Sequence, residues 1–465
     1  MKAVFFGGGS FRLLGILRSA MAERGLFDGG AIHLHDLAVE RAETMGRMLM
    51  KTPEFARAQP TITWGSALDR ALEGADAVGV VLMAGSRLSQ ALGDEACLKH
   101  GFLGSDNVSP SGALLAVKGG PILMDLARRM EKRCPDAWLI DFANPVAVHS
   151  AAVNNHTRIR ALGVCQGFCN HQWDLARVLL GRDEQNPEFD VDVAGINHLS
   201  YILRGTYRGK DLFRLLDRRL TPGWKPPRLA PEMPIWTRRN ITRGLGTLAR
   251  LYRDLGVLIF STEGDGMMHL DYDACLQRVL AEGPRPTRAA IAAGIRRGAK
   301  ERQKDDAFFR SHLAKDLDAA FWSGPATRTF MFQRQDEDIF VRVLAGLAGI
   351  RKVKIATSRP NRGAVAGFTD RTVLEYSQVL TRGTIRPVAG LAVPPVVQGL
   401  TSGLAAHQTM LADAIATEDP KLLAQALQAY PVRAYSPALK ALCRDLLAIN
   451  AAEIPPALAK ARQYL

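Results

Sequence analysis

No apolar run in this 465-residue chain approaches the roughly 18 residues that a bilayer crossing requires, so no membrane partner is expected. The six cysteines (Cys97, Cys134, Cys165, Cys169, Cys275, Cys443) keep no framework spacing. That excludes a disulfide-stapled scaffold and suits free thiols in a reducing, cytoplasmic setting. Cys165 and Cys169 lack the second cysteine pair that a structural zinc site needs. A dense basic tract is also missing, although the formal charge is +14. Positive residues are scattered in pairs such as Arg128-Arg129 and Arg238-Arg239, often beside acids as at Lys300-Glu301-Arg302, and no nucleic-acid partner is expected. The opening Met-Lys-Ala-Val-Phe-Phe-Gly-Gly-Gly lacks the length and cleavage site of a signal peptide and reads as a buried first strand. Repeats and low-complexity segments are absent.

What remains, 47% hydrophobic and 23% charged, is ordinary globular composition, and the length calls for two lobes rather than one core. The first ~200 residues alternate β-type runs with helical stretches, the pattern of βαβ units in a doubly wound, Rossmann-type parallel sheet. The expected strands are Ala3–Phe6, Ala31–His35, Thr61–Trp64, Ala77–Met83, Ala137–Phe142 and Ile159–Val164, with helices such as Arg12–Arg24 and Pro121–Lys132 between them. The texture changes near Phe189, which sets a domain boundary: residues 1–188 form a dinucleotide-binding domain and 189–465 an α+β substrate and oligomerisation lobe. In that lobe, strand-like Val191–Ala194 and Ser200–Arg204 flank Asn197-His198. A Pro-rich loop (222–234), a helix over Thr237–Leu255 and a polar loop from Thr262 follow. The end of the chain, Val396–Leu465, is helical until Pro455-Pro456 interrupts it.

Ligands of such sheets bind outside the carboxyl ends of the strands. Gly7-Gly8-Gly9 follows the first strand and opens a helix through Ser10 and Phe11, so backbone N–H groups face a pyrophosphate. Asp36 ends the second strand 27 residues past Gly9, where its carboxylate accepts from ribose hydroxyls. It favours NAD over NADP, with Arg12 and Arg41 as groups that would blunt the preference. Arg12 also replaces the third glycine of the usual fingerprint, and a plain tight turn is the competing reading. Cys165 and His198 each follow a β-run on this same edge. Either alone is an ordinary core group; together they suit Mn²⁺, Fe²⁺, Co²⁺ or Ni²⁺ with open positions for substrate oxygens.

These segments together resemble the NAD- and divalent-metal-dependent glycosidases of glycoside hydrolase family 4, which are related in fold to lactate and malate dehydrogenases. The resemblance rests on Gly7–Ser10, Ala84-Gly-Ser-Arg87 with Asp94-Glu95, Gly104 to Gly112, Pro135–Trp138 with Asn144-Pro145, Gly163-Val-Cys165, Asn197-His198 and Arg359–Gly363. It implies NAD as cofactor and a divalent metal, manganese first, held by Cys165 and His198. It also implies Arg87, Asn144, Gln166, Asn197 and Asn361 toward a glycoside substrate, and a homodimer or homotetramer. The implied reaction is NAD-dependent oxidation at C3 of the sugar, metal-assisted removal of the C2 proton and elimination at C1, outside the two-carboxylate pattern of most glycosidases. The base is expected on the second lobe: Asp265 first, Tyr272 second, with His269 as proton carrier or substrate contact. A polar surface turn is the alternative for that loop.

Two departures bear on the substrate. Gln166 follows Cys165 where relatives carry Asp, Asn or His, and a Gln is no general acid. His171 and Asn170 either replace the missing acid or cap a helix beginning there. Gly104-Ser-Asp-Asn is an atypical version of the family's glycine-rich loop. The expected substrate is therefore an unphosphorylated or uronic-type glycoside. An NAD-dependent dehydrogenase acting on a hydroxy acid or sugar without cleavage is the alternative. Asn361, with Arg359 and Arg362, reads either as an anion contact or as a turn.

Overall fold

Six apolar runs fold as parallel strands: β1 (Lys2–Phe6), β2 (Ala31–His35), β3 (Thr61–Gly65), β4 (Ala77–Val80), β5 (Trp138–Asp141) and β6 (Arg160–Gly163). They lie in the order β3-β2-β1-β4-β5-β6, with Phe5, Leu34, Val78, Ile140 and Leu162 wholly buried, as strands covered on both faces require. The computed structural model describes the chain except residues 185, 186, 260–263, 284, 324–332, 335 and 337.

The helices between these strands are α1 (Arg12–Ala22), α2 (Val39–Met50), α3 (Pro53–Ala58), α4 (Leu68–Leu72), α5 (Arg87–Lys99), α6 (Pro110–Arg133), α7 (Val146–His156) and α8 (Gly167–Leu180). Two begin earlier than the sequence predicts. α6 opens at Pro110 rather than Pro121, because Ser109 caps it by accepting from the Gly112 N–H. Pro121 sits inside it, followed by the exposed Ile122, and removes one backbone donor from the helix. α8 starts at Gly167, so His171 lies in its second turn, buried, and is no cap.

Past β6 the sheet turns antiparallel and runs on without a break across residue 188. Strand Val353–Pro360 meets β6 at Ser358 and Gly163, strand Val373–Thr381 lies beside it, then the hairpin β7 (Phe189–Ile196) and β8 (Leu199–Tyr207). All belong to one 13-stranded sheet. The two C-terminal strands escape a sequence reading because polar residues interrupt their buried apolar run: Thr357, Ser358, Ser377 and Gln378 are fully covered. Helix Ile235–Leu255 ends at Gly256, which takes the left-handed conformation. Helices Pro395–Thr417, Pro420–Gln428 and Pro437–Asn450 each begin on proline, and the first packs across α6 and α7. Among the described residues, no helix is long and apolar enough to cross a membrane.

Candidate active site

The glycine loop is shaped by its neighbours. Gly7 has φ +91°, and a Cβ there would stand 2.0 Å from the Val81 carbonyl oxygen. Gly7 and Gly8 both donate to the His35 carbonyl, and Gly9 donates to Asp36 Oδ2 at 2.8 Å. The carboxylate expected for ribose thus touches the loop expected for pyrophosphate. No side chain caps the N-terminus of α1. Beside Asp36 lies a cavity of about 280 Å³ lined by Phe6, His35, Leu68, Ile122 and Leu126, with Leu37 at its rim 90% exposed. Ser66, Asp125 and Arg129 also line this cavity, which adjoins the acid expected for ribose. The two arginines that would admit a 2′-phosphate are engaged. Arg41 pairs with Asp306 at 3.2 Å and lies over the Phe11 ring. Arg12 stacks on Phe142 at 3.9 Å and reaches Asp338. Phe11 is itself stacked by Phe309 at 4.5 Å.

Cys165 leaves the end of β6, and Asn197-His198 form the two-residue connection of the β7–β8 hairpin, with His198 at φ +67°. From these separate strand ends Cys165 Sγ and His198 Nε2 meet at 3.6 Å. Asp265 Oδ1 holds His198 Nδ1 at 2.7 Å, fixing the ring so that Nε2 faces the thiol. This contact depends on Gly266, where a Cβ would fall 1.3 Å from the His198 carbonyl oxygen. Burial disfavours a charged imidazole, but Asp265 and Cys165 outweigh it and raise the proton affinity of His198 well above the usual value. Burial likewise pushes the Asp265 carboxyl up, and His198 more than reverses it, holding the group low.

A spot that so favours a proton favours a divalent ion in its place, and a thiolate with an imidazole is a suitable donor pair. Among the described residues no third His, Cys, Asp or Glu completes a cage, which leaves coordination positions for substrate oxygens. Two buried acceptors point the same way. Asn197 Oδ1 meets no donor among the described residues, while Asn197 Nδ2 donates to Glu375. Asp265 Oδ2 also lacks a donor in hydrogen-bond geometry, with Ser105 near enough only to help hold the carboxyl down.

The loop between α5 and α6 supplies residues that sequence reading did not single out. Asn107 Nδ2 lies 3.2 Å from His198 Nε2, and Asp106 accepts from Asn144 Nδ2 at 2.8 Å and from Asn107 Nδ2 at 3.1 Å. Ser111 donates to Asp94 behind this loop, and burial pushes the Asp94 carboxyl up to about 6. The signal that pointed here was the atypical Gly104-Ser-Asp-Asn sequence. His171 is also close: a Cβ on Gly167 would lie 3.0 Å from its Nε2 and 3.3 Å from Cys165 Sγ. Burial lowers its pKa to about 3, so its ring is neutral.

Other expected residues stand further from this centre or are engaged within the protein. His269 links the Asp265 carbonyl to the Tyr430 hydroxyl. The Tyr272 hydroxyl accepts from Leu103 N–H at 2.8 Å, and burial raises its pKa to about 12. Gln166 Oε1 accepts from Ile339 N–H. Asn361 is 1% exposed and bonds three times within its own turn, to Val365 O, Phe368 O and Val365 N. Ser10 lies half-buried in the glycine loop, its N–H on the Gly7 carbonyl. Arg87 opens α5 as an exposed guanidinium with no partner among the described residues. The loop that presents it is pinned from the far end of the chain: Glu453 Oε2 accepts from Ser86 N–H, Ser89 Oγ and Lys118 Nζ. Of the polar loop read from Thr262, residues 262 and 263 lie outside the described residues.

Comparison with known proteins identifies the family. Residues 2–180 match the family 4 glycosyl hydrolase profile and residues 193–432 its C-terminal domain. An alpha-galacturonidase of Bacillus subtilis is 24% identical over 443 residues, covering 92% of each chain. The structure of a 6-phospho-alpha-glucosidase from gut microorganisms, in complex with NAD and Mn²⁺, superposes with TM-score 0.77 at 18% identity, over 97% of this chain and 98% of that one. A 6-phospho-beta glucosidase from Thermotoga maritima, with manganese, NAD⁺ and glucose-6-phosphate, does so with TM-score 0.73 at 14% identity, over 98% and 99%.

Proposed function

This chain belongs to the family 4 glycosyl hydrolases and is a glycoside hydrolase, and from that premise we propose that its substrate is an α-linked galacturonide or a similar uronic-type glycoside. A relative that spans 92% of the chain carries that activity in its name, and the exposed Arg87, without a partner among the described residues, is suited to a carboxylate. The proposed reaction is NAD-dependent oxidation at C3, metal-assisted deprotonation at C2 and elimination at C1.

One observation carries the reading: a thiol and an imidazole from different strand ends face each other across 3.6 Å, the imidazole aimed by a buried carboxylate. The nicotinamide supplies a hydride acceptor and a divalent ion, manganese first, supplies a Lewis acid that acidifies the C2 proton. The protein's part is placement. Gly7–Ser10 and Phe11 present the dinucleotide loop, and Asp36 orients the ribose. Cys165 and His198 hold the ion, with Asp265 fixing the imidazole rather than roaming as a free base. Asn144 and Asn197 offer amides to the sugar.

In this proposal the first 188 residues bind the dinucleotide, and the rest supplies His198, Asp265 and the surface for a homodimer or homotetramer. That assembly is supported by helix Arg288–His312, 25 residues long, of which only Phe309 is buried. Free, mostly buried thiols suit a cytoplasmic setting.

The test is to incubate the protein with NAD⁺, Mn²⁺ and reductant against 4-nitrophenyl α-galacturonide and its neutral and phosphorylated counterparts. Aglycone release without net NADH, greatest on the galacturonide, is expected. Stoichiometric NADH without cleavage replaces the hydrolase by a simple dehydrogenase.

A further inference from the structure

Breaking the bond between C1 and the leaving oxygen requires a proton on that oxygen, and the residue after Cys165 is an amide whose Oε1 is already occupied by the Ile339 N–H. The other acidic groups near the centre are committed. Asp265 is bound to His198 Nδ1. Glu375 accepts from Asn197 Nδ2 and Ser200 Oγ, behind the hairpin turn. Asp94 lies behind the α5–α6 loop and accepts from Ser111.

Asp106 differs. It is half-buried and stands on the loop whose next residue, Asn107, reaches His198. Among the described residues its two oxygens accept only from the amides of Asn107 and Asn144, one each, so each oxygen keeps a lone pair open to a substrate oxygen. Resting on the glycosidase reading of this site, we propose that Asp106 is the general acid of the cleavage step. As the electron pair left at C2 forms the C1–C2 double bond, the C1–O bond breaks, and the departing oxygen takes both its bonding electrons and the proton of Asp106. When water then adds at C1, its proton returns to the Asp106 carboxylate, so the residue ends the cycle as it began. In this chain the acid stands not after the thiol but on the loop that holds the Asn144 amide.

The test compares wild type with Asp106→Asn, both loaded with NAD⁺ and Mn²⁺, on 4-nitrophenyl and methyl α-galacturonides. The nitrophenolate leaves without help; methoxide does not. The variant is expected to lose about 10²–10⁴-fold on the methyl glycoside and less than about 10-fold on the nitrophenyl one. Uptake of solvent deuterium at C2 of the unreacted methyl glycoside, which precedes bond breaking, is expected to continue at the wild-type rate. Equal losses on both aglycones with slowed deuterium uptake overturn the proposal and leave Asp106 as a support for Asn144. An unchanged variant overturns it outright. A wild type inactive on both compounds overturns the glycosidase reading itself, and the acid with it. If Asp106→Asn fails to fold, judged by its melting temperature and NAD binding, Asp106→Ser with added formate is expected to recover cleavage of the methyl glycoside, and absence of rescue counts against the proposal.

Discussion

The turn at Asn361 and the cluster at His198 are both buried, at 1% and 9% exposure, yet they handle their polar groups in opposite ways. Asn361 spends its whole amide on its own loop through three hydrogen bonds. Among the described residues, the His198 cluster leaves Asn197 Oδ1 and Asp265 Oδ2 without a donor in hydrogen-bond geometry and sets a thiol against an imidazole. A buried acceptor without a donor costs about 1–3 kcal/mol, so a fold keeps one where something else supplies the partner. Completeness thus separates a polar group that holds the chain together from one that waits for a ligand. The contrast also covers His269, a histidine as buried as His198, which is closed between the Asp265 carbonyl and the Tyr430 hydroxyl.

The sharpest way to break the contrast is Cys165→Ser. Activity is expected to fall more than ~100-fold and to lose its Mn²⁺ dependence, while melting temperature without metal barely changes. A large stability loss with metal binding intact, read by calorimetry, would place the thiol with the structural groups. The mirror experiment is Asn361→Ala. Losing three hydrogen bonds in a buried turn is expected to cost roughly 2–4 kcal/mol in denaturant unfolding, with specific activity of the folded fraction unchanged. A selective rise in KM would instead make Asn361 a substrate contact.

Asp94 tests the support behind the site. Its folded carboxyl titrates near 6, raised from 3.8 by burial first and then by Asp106 and Glu95. Its contribution to stability is therefore present in full below about pH 4 and lost as pH rises through 6, roughly 2–3 kcal/mol in all. Asp94→Asn is expected to flatten the stability profile over that window; urea melts at pH 4 and 7 that still differ as in wild type would refute the assignment. The smallest effect concerns the cofactor loop. Asp36→Ala is expected to weaken NAD binding by about tenfold and narrow the preference over NADP, measured by fluorescence titration, since the Gly9 N–H loses its charged acceptor as well.

Sequence alone made the dinucleotide half readable, because its information is local: an apolar strand, glycines forced by a neighbouring carbonyl, and an acid at the next strand end. Strand Ala31–His35 falls where its pattern places it. The C-terminal strands were not readable, since buried Thr357, Ser358, Ser377 and Gln378 carry no hydrophobic alternation and their pairing is with distant segments. Cys165 and His198 were legible as strand-end residues expected to come together, and the structure adds the distance, 3.6 Å. The contacts of Asn107 with His198 and of Asp106 with Asn144 were not legible, since their loop is recognisable only by its departure from a glycine-rich pattern. Asp265 was legible as a carboxylate but not as the group that aims the imidazole, because a periodicity carries no distances.

Gly266 gives the last consequence. With no side chain it lets the backbone of residues 264–267 lie directly on the hairpin carbonyl of residue 198, and only then does the neighbouring carboxylate reach the ring. Two distant segments of the second lobe are thus joined, at the point of chemistry, by a missing methyl group. A chain in which the hairpin and this loop are not docked together has an unaimed imidazole, so catalytic competence reports on that docking.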